Sequence, residues 1–176
     1  MTLPTIRPTV LLAAISLVFM ASCSAFKPAA GTSGNRDVST RGSTNTSSSA
    51  SANAIVNMAE DLVGTKYKYG GNTPREGFDC SGLSVWVYDR AADVQLPRTS
   101  STQVGEGRRV RTNDAQLGDL VFFSRGGRVF HVAIVVDTAP GQLWVVHATT
   151  SRGVIREEIL GNSYWAPKMS SVRRLL

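Results

Sequence analysis

The sequence predicts an α+β domain, with helices packed on a mainly antiparallel β-sheet, and three observations carry that expectation. Apolar residues recur at helical spacing in two stretches ahead of residue 95. From residue 120 onward the period shortens to that of strands, in runs rich in β-branched and aromatic residues. Those later runs are broken by GG and PG pairs, which mark tight turns between them.

Element by element, the folded part is expected to begin near Ala52 and run to residue 176. Ile55, Met58, Ala59 and Leu62 share one helix face, and Gly64 stops the run. YKYGGNTPREGFDC, from Tyr67 to Cys80, reads as a loop, with paired glycines and Pro74 as breakers. Cys80 to Ala92 reads as a second helix, with Leu83, Val87 and Ala91 on one face and Trp86 offset from it. LPRTSSTQVGEG is a polar connector, and Arg108, Arg109 and Arg111, beside glycines, read as a solvated turn. LVFF at 120–123, HVAIVVD at 131–137 and LWVVHATT at 143–150 are strands, and SVRRLL at the end is read as an edge strand.

The segment before the domain has a different composition. Residues 1–22 read as an export signal: Arg7 supplies positive charge, Val10 to Met20 the apolar stretch, and Ala21-Ser22 the small residues before a cut site. The apolar stretch is about half the ~20 residues a spanning helix needs. Residues 24–51 are almost wholly Ser, Thr, Ala, Gly and Asn, too poor in apolar surface to offset chain entropy, and read as a disordered tether.

From residue 52 onward there are 15 Lys and Arg against 12 Asp and Glu. That small positive excess suits work near an anionic envelope polymer. No basic stripe with interleaved aromatics appears, so nucleic acid is not an expected partner.

Two cysteines and two histidines hold the candidate chemistry. Cys80 opens its predicted helix, where unsatisfied backbone N–H groups and the positive end of the helix dipole favour a thiolate. A cysteine nucleophile needs a base and a polar group that orients the base. His131 and His147, each inside an apolar strand run, could fill those roles with Cys80. A zinc site built from the same four residues is disfavoured by spacing, since no C-x₂-C or H-x₃-H pairing exists and Cys23 lies across the tether. No metal or other cofactor is called for.

The segments YKYGGNTPREGFDCSGL, LPRTSSTQ, LGDLVFF, HVAIVVD and VVHATTSRGV occur in that order. Together, over Ala54 to Arg174, they resemble the NlpC-like cysteine peptidases, papain-related enzymes that cleave the peptide stems of bacterial peptidoglycan. The resemblance implies a papain-like α+β fold with the nucleophile at a helix N-terminus. It implies Cys80 as nucleophile, His131 as general base and His147 as the third member of a Cys-His-His triad. It implies that Tyr67 helps the oxyanion site, although one extra residue between the glycine pair and Cys80 leaves Tyr69 open for that role; the glycine pair favours Tyr67. Asp79 and Ser81 match positions that contact the amine end of the substrate in relatives, and Arg98 and Ser100 a segment lining the cleft. Helix capping and loop structure are the other reading of these four. The bond favoured by the resemblance joins D-glutamate to the diamino acid of the stem. Two other readings remain: an amidase or acyltransferase with the same triad, and a lipoprotein that only binds peptidoglycan.

Small residues leading into Cys23 resemble the lipobox of bacterial lipoproteins, in which the cysteine thiol takes a diacylglycerol and becomes the new N-terminus. An ordinary secretory signal is the alternative. Lipidation implies attachment to a membrane, and Ser24 after the cysteine implies the periplasmic face of the outer membrane. An acylated Cys23 would leave Cys80 without a disulfide partner. With no wall-binding domain ahead of the catalytic one, specificity is left to the cleft or to a regulatory or adaptor protein.

Overall fold

The computed structural model describes residues 41–176. The export signal read over residues 1–22, Cys23 and the first part of the tether lie outside the described residues.

Helix α1 spans Arg41–Asp61 and α2 Cys80–Ala92, with a short α3 at Ser100–Gln103. The expected start of order near Ala52 is therefore about three turns too late, because α1 already covers residues 41–51. The cause is cooperativity. Ile55 and Ala59 are fully buried against the core, so the helix is nucleated there, and each residue added toward the N-terminus gains a hydrogen bond without a new nucleation cost. Ser48, Ser49, Ala52 and Asn53 then border a groove shared with Gly118, Asp119 and Arg174, so this end of α1 lies against the domain.

Between α1 and α2 the expected loop contains a two-residue ladder, β1 (Asn72–Thr73) with β2 (Gly77–Phe78). The main sheet has six strands: β3 (Arg108–Val110), β4 (Leu120–Arg125), β5 (Arg128–Ala139), β6 (Gln142–Thr149), β7 (Gly153–Glu158) and β8 (Met169–Arg174). Their order is β3-β8-β4-β5-β6-β7, antiparallel throughout. Two expectations are corrected. The last strand is not an edge, because β8 pairs with β4 on one side and β3 on the other. Two of the arginines read as a solvated turn, Arg108 and Arg109, lie in the β3 edge instead and stay exposed while the backbone completes the ladder; Arg111 follows the strand. Charged side chains on an edge strand are a known guard against further pairing.

Alternation along the strands gives the sheet two apolar faces. Leu120, Phe122, Val132, Ile134, Val146 and Ala148 meet Ile55 and Ala59 of α1 and Leu83 and Val87 of α2. Val121, Phe123, Ala133, Val135 and Val145 meet Ile159 and Trp165 from the segment after β7. The register Ile134 with Val146 sets His131 and His147 diagonally on neighbouring strands, close enough for ring contact.

Candidate active site

Asp79 stands before α2 in extended conformation and caps it: its Oδ1 accepts from Gly82 N at 2.7 Å. Asp79 N in turn donates to Gly71 O at 3.1 Å. That approach of loop to helix depends on Gly82, since a Cβ there would collide with the Gly71 carbonyl oxygen. The DCSG sequence thus packs a breaker-rich loop onto the first turn of a helix and sets the Cys80 side chain at its rim.

Cys80 is half-buried at the start of α2, near the backbone N–H groups of Val132 on β5, of Ser81 and of its own residue, which favour a charged sulfur. Burial nevertheless pushes the thiol above its ordinary value, with the Asp79 charge adding to the rise and the three N–H groups opposing it. The expectation of a thiolate favoured by the helix start is corrected to a neutral thiol at rest.

His131 is 7 % exposed and His147 fully buried. His131 Nε2 and His147 Nδ1 share a hydrogen bond of 2.9 Å, and His147 Nε2 meets Glu157 Oε2 at 3.2 Å. Glu157 also accepts from Trp165 Nε1 at 2.8 Å on Oε2 and from Arg152 Nη2 at 2.6 Å on Oε1. The Trp165 ring stacks on His131 at 4.6 Å and 27°, and meets His147 edge-on at 5.0 Å. Burial, with His147 adding to it, lowers His131 to about 3, and burial lowers His147 against the pull of Glu157. Burial works to raise Glu157, but Arg152, His147 and Trp165 together hold it below the usual carboxylate range. The row is therefore two neutral imidazoles ending on a carboxylate.

Cys80, His131 and Tyr67 line one cleft, with Arg125, Phe130 and Arg152 on its other walls. Tyr67 bridges to Phe78 and is held beside Cys80; burial, then the Cys80 and Asp79 charges, raise its hydroxyl, which stays a donor. Tyr69 is 87 % exposed and is not among the residues lining the cleft, so of the two tyrosines left open by the sequence only Tyr67 stands beside the thiol.

Asp79, Ser81 and Arg98 form a separate knot on the helix side. Arg98 bonds both oxygens of Asp79, at 3.0 Å and 2.8 Å, as well as Ser81 Oγ at 3.0 Å and Gly71 O at 3.3 Å. Burial raises Asp79, and Arg98, Gly82 and Ser81 more than reverse it, leaving the carboxyl below its ordinary value. Ser100 opens α3 and is not among the cleft-lining residues. Gln103, fully buried, ties α3 to α2 through Ser84 Oγ at 2.9 Å and Ser81 O at 3.2 Å.

Sequence reasoning missed Glu157, Arg152 and Trp165. A period-two reading of GVIREE as a strand would have set Ile155 and Glu157 on one face, and the observed register pairs them with His147 and Val145.

Residues 64–174 match the model of the NlpC/P60 family. The chain is 38 % identical over 125 residues to the gamma-DL-glutamyl hydrolase of Bacillus subtilis, a match covering 71 % of this chain and 30 % of that protein. It is 34 % identical over 122 residues to the murein DD-endopeptidase MepS/murein LD-carboxypeptidase of Escherichia coli K12, covering 69 % and 62 % respectively. The chain thus spans less than two thirds of either relative. Among solved structures, the NlpC/p60 domain of the peptidoglycan hydrolase SagA superposes with a TM-score of 0.60 at 29 % identity, over 70 % of this chain and 97 % of that one. The papain-like α+β architecture expected from the resemblance is the architecture observed.

Proposed function

The chain belongs to the NlpC/P60 family, and from that premise we propose that it is a cysteine endopeptidase cutting the peptide stems of peptidoglycan, with Cys80, His131 and His147 as its triad. The observation that carries this reading is the single cleft lined by Cys80 and His131, with the far nitrogen of His131 bonded to His147. Relatives named for murein and peptidoglycan hydrolysis support the substrate class.

The chemistry follows from the neutral resting pair. As Cys80 Sγ attacks the stem carbonyl, its proton passes to His131 Nδ1, the ring nitrogen not engaged with His147. The S–C bond forms, and the oxyanion is received by backbone N–H groups at the start of α2 and by the Tyr67 hydroxyl. His131 returns the proton to the departing amine as the C–N bond breaks. A water then loses a proton to the same imidazole, attacks the thioester and releases the acid and the Cys80 thiol. His147 holds the imidazole in orientation and disperses its transient charge.

For the bond itself we propose the one joining D-glutamate to the diamino acid, supported by the relative named a gamma-DL-glutamyl hydrolase. Purified protein incubated with peptidoglycan should release fragments whose new termini, read by mass spectrometry, are D-glutamate and the diamino acid. Release of lactyl-free stems would identify an amidase instead, and unchanged release by Cys80→Ala would remove the thiol from the mechanism. Sedimentation with cell walls but no release from either protein would leave only binding. We also propose that Cys23 is lipidated and tethers the domain to the outer membrane. Incorporation of a labelled fatty acid, lost in Cys23→Ser, tests the anchor, and equal labelling of the variant would refute it.

A further inference from the structure

Proton positions in the His131–His147–Glu157 row are not independent. Each neutral imidazole has one N–H, and each hydrogen bond in the row can hold one proton. Glu157 receives donors on both oxygens, from Arg152 and Trp165, in addition to its contact with His147. A carboxylate so surrounded by donors stays ionised and can only accept. The proton in the His147–Glu157 bond therefore belongs to His147 Nε2. Neutral His147 then has no proton on Nδ1, and that nitrogen must accept from His131 Nε2–H. Neutral His131, protonated on Nε2, is left with Nδ1 bare.

We propose that Glu157 is a positioning residue: its carboxylate fixes His147 as the Nε2–H tautomer and so keeps Nδ1 of His131 free to take the Cys80 proton. Without an acceptor at Glu157, His147 is free to carry its proton on Nδ1. It would then donate to His131 Nε2, push the His131 proton onto Nδ1, and leave the base already occupied on the side facing the thiol. Trp165 serves the same order from two directions, donating to Glu157 and covering the face of His131 against water. This inference rests on His131 being the base for Cys80.

The chain has only two histidines, so ring-¹⁵N histidine labelling of the full-length protein gives a spectrum of two imidazoles. Both rings are expected as Nε2–H tautomers in the wild type. In Glu157→Ala, His147 should shift toward the Nδ1–H form and His131 with it. Turnover should fall roughly 10- to 100-fold with KM nearly unchanged, as for other groups that orient a reacting residue. Alkylation of Cys80 by iodoacetamide at neutral pH should slow in step. Should Glu157→Ala fold poorly, Glu157→Leu fills more of the space and still has no acceptor, and the wild-type spectrum alone remains decisive. His147 found as Nδ1–H in the wild type, or both rings unchanged in a folded variant that has no acceptor at position 157, would overturn the inference. Full turnover by His131→Ala would instead overturn the underlying assignment of the base.

Discussion

Two polar clusters flank the Cys80 thiol, and they are built to opposite ends. On the helix side, Asp79 takes five hydrogen bonds, from Gly70, Ser81, Gly82 and twice from Arg98. Its charge is fully met by the protein, and what it secures is position: the cap of α2, the loop at Gly71 and the connector before α3. On the sheet side, each link of the His131–His147–Glu157 row is a single hydrogen bond, and the two imidazoles could exchange roles by moving protons were Glu157 not there to order them. The first cluster is an ion pair that would be damaged by losing its charge. The second holds neutral rings in a buried site and spends its one carboxylate on ordering them. Saturation marks the part that holds still, and a row of single bonds the part that reacts.

The largest effects should divide along that line. His131→Ala is expected to lower turnover about 10²- to 10⁴-fold, the usual worth of a general acid–base, while the protein keeps its circular dichroism spectrum. Arg98→Ala should do the reverse. It strands the Asp79 carboxylate, whose side chain is 14 % exposed, and breaking such a pair within the fold costs several kcal/mol when fully buried. Because Arg98 is 39 % exposed, solvent screening reduces this to about 1–3 kcal/mol, read as a lower midpoint in urea. Equal urea midpoints for Arg98→Ala and wild type would erase the distinction between the clusters.

The two clusters should also separate by pH. Folded His131 is lowered to about 3 from an ordinary 6.5, and His147 is lowered too, so below pH 6.5 the unfolded chain binds protons that the folded chain refuses. Stability is therefore whole above about 6.5 and declines as pH falls toward 3, by up to about 1.4 kcal/mol per pH unit for each ring. Asp79 is lowered from 3.8, so its contribution is present above 3.8 and is lost only below it. Urea midpoints at pH 7 and pH 5 should differ in the wild type and differ less in His131→Asn, where only His147 still contributes, while Asp79→Asn should keep the full difference. A wild type with identical midpoints at the two pH values would show that the rings take protons in place.

How much of this could be read from the sequence follows from the range of the interactions. The span of α2 was legible to its ends, Cys80 to Ala92, because a breaker-rich loop, a capping Asp79 and an apolar stripe are all local signals. The β4, β5 and β6 cores were legible from LVFF, HVAIVVD and LWVVHATT for the same reason. The start of α1 was hidden because Ser and Thr have weak helix propensity and the packing that extends the helix comes from residues more than sixty positions away. The place of β8 between β3 and β4 was hidden because strand order is a matter of pairing across the whole chain. In the site, the chemistry of cysteine and histidine singled out Cys80, His131 and His147 as candidates, and the family resemblance added Tyr67; the structure sets Cys80, His131 and Tyr67 on one cleft, with His147 bonded to His131. Glu157 was not singled out, since a lone glutamate in REE looks like a solvated charge until β7 is laid beside β6. The neutral thiol was missed because a helix dipole can be inferred from sequence, whereas burial cannot.

The smallest predicted effect bears most closely on where the substrate's amine end is held. By family resemblance Ser81 contacts it, yet in the structure the Ser81 hydroxyl already donates to Asp79 Oδ1 at 3.1 Å and accepts from Arg98 Nη1 at 3.0 Å. A hydroxyl has one proton to give, and here it is given to Asp79. If the knot is purely a scaffold, Ser81→Ala removes two ordinary hydrogen bonds, costs about 0.5–1.5 kcal/mol in urea unfolding and leaves KM unchanged. If instead a substrate ammonium displaces Arg98 and binds at Asp79 and Ser81, the same variant raises KM with little change in kcat, because an interaction present in both ground and transition states is lost. Charge balance permits that exchange at the half-buried carboxylate, since one cation would replace another and Asp79 would never be left uncompensated. A rise in KM would make the knot a substrate clamp that Arg98 occupies at rest; an unchanged KM would restrict it to holding α2 in place.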